Sequence, residues 1–119
     1  MNHLEEPILR ILRKHRGRNN PVTCHRIEKI TGSSSRTVRR TISDLVKMER
    51  ALIASSVNYP YGFYLITNKH EAKTCLRQYY SRAKEVLNRA RILNKMVKKK
   101  FGVSYQKEFY FVNQRKSST

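Results

Sequence analysis

The spacing of apolar residues changes character several times along the chain, and each change predicts an element. In LEEPILRILRK, Leu4, Ile8, Ile11 and Leu12 share one face of a helix. Glu5 and Glu6 suit the positive end of its dipole, and Pro7 fits a first turn. HRGRNNP then breaks the pattern, after which Thr23 is placed to cap a short helix from Cys24 to about Thr31, with Ile27 and Ile30 pointing inward. Gly32 closes that helix and Ser34 caps the next, which runs to Met48 and turns Val38, Ile42, Leu45 and Val46 toward a core. Two helices across a tight glycine turn make a helix-turn-helix. ALIASS and GFYLIT have strand composition, so Leu52 to Ser56 and Phe63 to Ile66 are expected to form a hairpin with Asn58 to Gly62 at its tip.

Beyond the hairpin the period lengthens. Asn68 and Glu71 form a capping box, and neither Gly nor Pro interrupts the chain until Gly102, which predicts a helix of roughly thirty residues. Its apolar and small positions fall alternately four and three apart, a heptad with Leu76, Ala83, Ala90 and Val97 at a and Ala72, Tyr79, Val86 and Leu93 at d. Such a seam suits a homodimer. The competing reading packs the first half of the helix back on the preceding domain and leaves the rest a basic helix. Tyr105, Phe109, Tyr110, Phe111 and Val112 make the tail too apolar for a solvated linker, so it is expected to dock while QRKSST frays. The predicted fold is therefore mainly α with a small β-hairpin. Residues 1–68 would be a winged helix-turn-helix, 69–101 a long basic helix, and 102–119 an aromatic and basic tail.

Charge narrows the partner. Across 119 residues, 26 Lys and Arg face 8 Asp and Glu, a net charge of +18. So large an excess repels itself and is best tolerated beside a polyanion. Cys24 and Cys75 are far apart and in no C-x-x-C pair, as expected of thiols in a reduced compartment. MNHLEEPILR places acids where an export signal needs a basic segment, so a cytoplasmic, nucleoid-associated protein of a bacterial cell is expected. The uncharged run from Ala51 to Asn68 holds Asn58, Pro60 and Gly62 at its middle and reads as strands rather than a membrane span.

With Val38 at the centre of the inward face, Arg36, Arg40, Ser43 and Lys47 fall opposite it, flanked by Thr37 and Arg39. An α-helix fits the major groove of double-stranded DNA, where Arg pairs with two acceptors of guanine. Ser35, Arg36 and Arg40, at the start of the helix, are the candidates for base edges. Ser34 and Thr37 are candidates for phosphate oxygens. The bland alternative is a solvated basic face. At the wing tip Asn58, Tyr59 and Tyr61 either reach the DNA backbone or cover the core edge, and Arg16 and Arg18 are further backbone candidates by charge.

TGSSSRTVRRTISDL, the hairpin end YGFYLIT and YYSRAKEVLNRARILNK together resemble small winged helix-turn-helix proteins of bacteriophages and prophages, over roughly residues 21–95. The resemblance implies DNA binding near phage replication or regulatory functions, with Ser34, Ser35, Arg36, Thr37 and Arg40 as recognition-helix positions. MVKKKFG and the aromatic tail depart from that pattern.

Other classes find less support. No G-x-S-x-G, H-E-x-x-H, phosphate-loop or clustered carboxylate pattern is present, so the chain is not read as an enzyme, and no cofactor or small-molecule ligand is expected. Cys24-His25 and His70-x4-Cys75 do not match a recurrent zinc spacing. An RNA-binding or architectural replication module is the stronger rival, although the aromatics are not interleaved with the basic stripe. Membrane binding by the long helix is disfavoured by its alanine-rich stripe.

Overall fold

In a computed structural model, the structure describes residues 3–109. Their elements are α1 (Glu5–Leu12), α2 (Cys24–Thr31), α3 (Ser35–Lys47), β1 (Ile53–Ser56), β2 (Gly62–Leu65), α4 (Lys69–Phe101) and a 3-10 turn (Gln106–Phe109). Contacts divide the chain into two units, one through Arg77 and one from Gln78. The boundary falls inside α4, whose first turns are tied to the hairpin and to the loop after α1.

Local chemistry sets the helix ends as the sequence leads one to expect. Thr23 caps α2 by accepting the backbone N–H of Arg26 at 3.1 Å, and Gly32 closes it at φ 73° with its N–H on the Glu28 carbonyl. Ser34 caps α3. At the start of α4 the Asn68 Oδ1 accepts the Glu71 N–H at 2.9 Å, and Gly102 ends the helix at φ 73°.

Two inward assignments are corrected. Ile30 is 53% exposed and Val46 44% exposed. Both lie about 80–100° around the helix from the centre of the buried arc, because 3.6 residues per turn carries that arc to Thr31 in α2 and to Leu45 in α3. Thr41 takes the inward place on α3 instead, fully buried, with its hydroxyl donating to the Thr37 carbonyl at 2.8 Å. In α1 the buried face is Ile8, Leu9 and Leu12, with Ile11 only partly covered.

The hairpin pairs Ile53 with Leu65 and Ser56 with Gly62. Leu52 lies outside it, 70% exposed, although its carbonyl still accepts the Ile66 N–H. The free edge of β2 is taken by the loop between α1 and α2. Val22 and Phe63 exchange two backbone hydrogen bonds of 2.8 Å, while the Gly17 N–H donates to the Leu65 carbonyl and the Leu65 N–H to the His15 carbonyl. Gly62, at φ 135°, makes that crossing feasible, since a Cβ there would lie inside contact distance of the Val22 carbonyl.

Alternation then divides the sheet's two faces. Ile53 and Phe63 join α1, α2 and α3 in the main core, whereas Ala54 and Tyr64 meet Cys75 of α4 and Ile66. Cys24 and Cys75 are both buried and free. Glu5, also buried, pairs with Arg50 at 3.5 Å and links the start of α1 to the turn after α3.

In the second unit, α4 continues to Phe101 and the following segment bends back. Asn94 donates from Nδ2 to the Ser104 hydroxyl and accepts the Tyr105 N–H at 3.1 Å. The expected docking of the tail is therefore polar over these residues, with Tyr105 and Phe109 about half exposed. Tyr110, Phe111, Val112 and QRKSST lie outside the described residues.

Candidate nucleic-acid interface

Helix α3 presents two chemically distinct sides. Val38, Thr41, Ile42 and Leu45 are buried, and Arg36, Arg40, Ser43 and Lys47 are exposed on the opposite side. Among the described residues, Arg36, Arg40 and Lys47 take part in no hydrogen bond or ion pair, so their charges face solvent uncompensated. Desolvating such groups costs less when phosphate oxygens or base acceptors replace the lost water.

The first turn is partly occupied by its own hydrogen bonds. Ser34 Oγ accepts the Thr37 N–H at 3.2 Å and donates to Thr37 Oγ1 at 3.0 Å, which uses its only proton. Thr37 keeps its hydroxyl proton to offer. Ser35, a candidate for base edges, lies about 60° from Val38 around the helix, toward the core side, and is partly buried. Its Oγ sits 3.5 Å from Cys24 Sγ and accepts from Arg39 Nε at 3.3 Å. Arg39 also stacks on Phe63, 5.7 Å from the ring centroid, and lines a cleft of about 300 Å³ with Thr23, His25 and Tyr61. This cross-link between α3 and β2 leaves no trace in the sequence pattern.

The hairpin tip is held from below by one side chain. Arg18 donates from Nη2 to the Asn58 carbonyl at 2.9 Å and the Tyr59 carbonyl at 3.3 Å, and from Nη1 to the Pro60 carbonyl at 3.2 Å. Its guanidinium, a candidate for the DNA backbone, is thus bonded to three protein carbonyls in this structure. Arg16 remains exposed. Tyr59 and Tyr61 do not cover the core edge. They are 83% and 58% exposed and meet edge to face at 6.1 Å. The Tyr59–Pro60 peptide between them is cis.

Arg18 reaches α4 as well. Its backbone N–H donates to Glu71 Oε2 at 2.8 Å, while Glu71 Oε1 accepts from the N–H and the hydroxyl of Thr67. These donors, the Arg18 N–H foremost, hold the Glu71 carboxyl below its usual range. Tyr64 nearby is pushed up by burial and then by the charge of Glu71. Glu71 therefore caps α4 through Thr67, not through the N–H of Asn68 that a capping box would use.

Along α4 the predicted dimerisation positions stay largely uncovered. Leu76, Tyr79, Val86 and Leu93 are more than half exposed, Ala90 is exposed, and Ala83 and Val97 are intermediate. Among the described residues, no group of His, Cys, Asp and Glu could hold a metal ion, and no helix is long and apolar enough to cross a membrane. No family model, curated protein or solved structure matches the chain.

Proposed function

We propose that this chain binds double-stranded DNA sequence-specifically through a winged helix-turn-helix in residues 1–68, as a regulator of transcription or a replication-associated factor of the phage or prophage type, acting at the nucleoid of a bacterial host. The observation that carries this reading is the outward face of α3, where Arg36, Arg40, Ser43 and Lys47 stand exposed and the three cations have no hydrogen-bond or ion-pair partner among the described residues. A solvated helix face would be expected to mix acids among its bases. Here Asp44, half-buried at the edge of that face four residues after Arg40, is the one carboxylate of α3, and it forms no ion pair among the described residues.

The roles divide accordingly. Arg36 and Arg40 read base edges, Ser43 and Lys47 lie further along the groove, and Thr37 offers its hydroxyl to a phosphate. Ser34, Ser35, Arg39 and Arg18 position the reading elements from within the protein. Asn58, Tyr59 and Tyr61 of the wing, together with Arg16, lie along the flanking backbone.

Selection from a random duplex pool, followed by binding measurements over a range of salt, tests the proposal. Affinity for the selected site should fall with a log-log slope of roughly −5 or steeper if several cations meet phosphates. Arg36→Ala or Arg40→Ala should cost about 1–3 kcal/mol on that site, and Arg16→Ala should weaken all duplexes alike. Equal affinity for the site, random duplex and structured RNA would overturn it in favour of a backbone-only binder.

A further inference from the structure

We infer that the exposed stripe of α4 between Tyr79 and Val97 is the seam of a parallel two-helix pair formed with a second copy of this chain. The stripe keeps a strict heptad, with Ala83, Ala90 and Val97 at a and Tyr79, Val86 and Leu93 at d. Val86 is 62% exposed, Tyr79 57% and Leu93 55%, in a helix otherwise surrounded by Lys and Arg. The returning segment does not close it, because Ser104 and Tyr105 are held by Asn94, beside the seam, and leave Leu93 open.

The flanking residues choose both the occupant and its direction. At the e positions stand Tyr80, Leu87, Asn94 and Phe101, none of them charged, and at g stand Arg82, Arg89 and Met96. In a parallel pair each g residue faces the partner's e residue five places later. Arg82 then meets the partner's Leu87, Arg89 the partner's Asn94 with the Ser104 and Tyr105 that this amide holds, and Met96 the partner's Phe101. No arginine opposes an arginine. An antiparallel pair sets g against g, bringing Arg82 and Arg89 of one copy onto those of the other with no acid to separate them. Arg82 already lies over the ring of its own Tyr79 at 5.0 Å, so its aliphatic stem covers the seam while its charge stays lateral. Lys84, Arg91, Lys95 and Lys98 fall at b and f, on the outer surface, where water and salt screen them. The alanines at a allow the two backbones to approach closely.

This inference stands independently of DNA binding, and its salt response has the opposite sign. Added salt should strengthen self-association by screening the outer lysines, whereas it weakens any phosphate contact.

The test uses the full-length chain without DNA. Tyr79→Cys and Leu93→Cys are each oxidised mildly, with the wild type, whose own cysteines are buried, as the blank. A parallel seam gives like-with-like disulfide dimers for both variants, more at high salt. Dimers that form only when Tyr79→Cys is mixed with an a-position variant, Ala90→Cys or Val97→Cys, would indicate an antiparallel pair and overturn the orientation. Sedimentation as a monomer at every salt concentration, or association only with an added acidic protein, would overturn the self-pairing itself. Val86→Asp replaces an exposed residue, so circular dichroism should be unchanged while self-association weakens by about tenfold or more.

Discussion

Gly62→Ala tests the crossing on which the hairpin depends. Gly62 sits at φ 135°, a region that residues with a Cβ avoid, and occupying it costs on the order of 1–3 kcal/mol. The added methyl group would also overlap the Val22 carbonyl, which is backbone and cannot swing aside as a side chain can. Relief requires moving Val22 away from β2, which loses the two hydrogen bonds it exchanges with Phe63, each contributing about 0.5–1.5 kcal/mol net. The expected destabilisation is therefore about 2–6 kcal/mol, a large share of the roughly 5 kcal/mol expected of a unit this small. Gly32→Ala is the matched control. Gly32 also has positive φ, but nothing lies within 4 Å of a Cβ there, so only the backbone term of about 1 kcal/mol applies. Urea unfolding followed by circular dichroism at 222 nm measures both. If Gly62→Ala falls within about 1 kcal/mol of Gly32→Ala, the loop before α2 does not cross β2 as described, and the reasoning fails.

Arg18→Ala should leave the core intact and speed amide hydrogen exchange in residues 56–62 about tenfold, reflecting the loss of charge-assisted bonds to the Asn58, Tyr59 and Pro60 carbonyls. Unchanged exchange there would mean that the guanidinium does not hold the tip. Glu71→Gln should cost about 1–2 kcal/mol near neutral pH, since one amide oxygen cannot replace a carboxylate that accepts from Arg18 and Thr67 together. Because the folded state lowers the Glu71 pKa, this contribution is fully present above the ordinary carboxylate range and is lost as pH falls through the lowered value. The wild-type and Glu71→Gln stability curves should accordingly converge in acid, and a gap independent of pH would remove the carboxylate from the account.

What could be read from the sequence was what depends on neighbours in the chain. Thr23, Gly32, Ser34 and Asn68 end or begin helices through bonds spanning at most four residues, and the outward side of α3 follows once Val38 is placed. Ile30 and Val46 misled because hydrophobicity alone cannot say how wide an arc a short helix buries. Thr41 was hidden by its polarity, though back-bonding to Thr37 lets it enter the core. Arg18, Arg39 and Gly62 were beyond reach for another reason. Their partners lie far away in sequence, in the hairpin tip, in Phe63 and at Val22, and an arginine that grips carbonyls has the same composition as one that awaits a phosphate.

That last ambiguity bears on the whole charge excess. Of the basic residues named for DNA, Arg18 and Arg39 are engaged inside the protein, which leaves Arg36, Arg40 and Lys47 as the uncompensated cations of α3. The proposed seam sorts its charges in the same manner, turning uncharged e residues toward a partner and the lysines of b and f away. The net charge of +18 opposes both the pairing of two seams and the placing of two copies on neighbouring sites, since every approach of a second copy concentrates like charge. A polyanion relieves that repulsion for both at once. If two copies lie on one duplex, each pairing lowers the cost of the other, and by linkage the affinity of α3 for its site and the association of the seam must rise by the same factor. In a parallel pair both chains enter the seam from the same end, so that coupling would take the form of two copies on neighbouring half-sites.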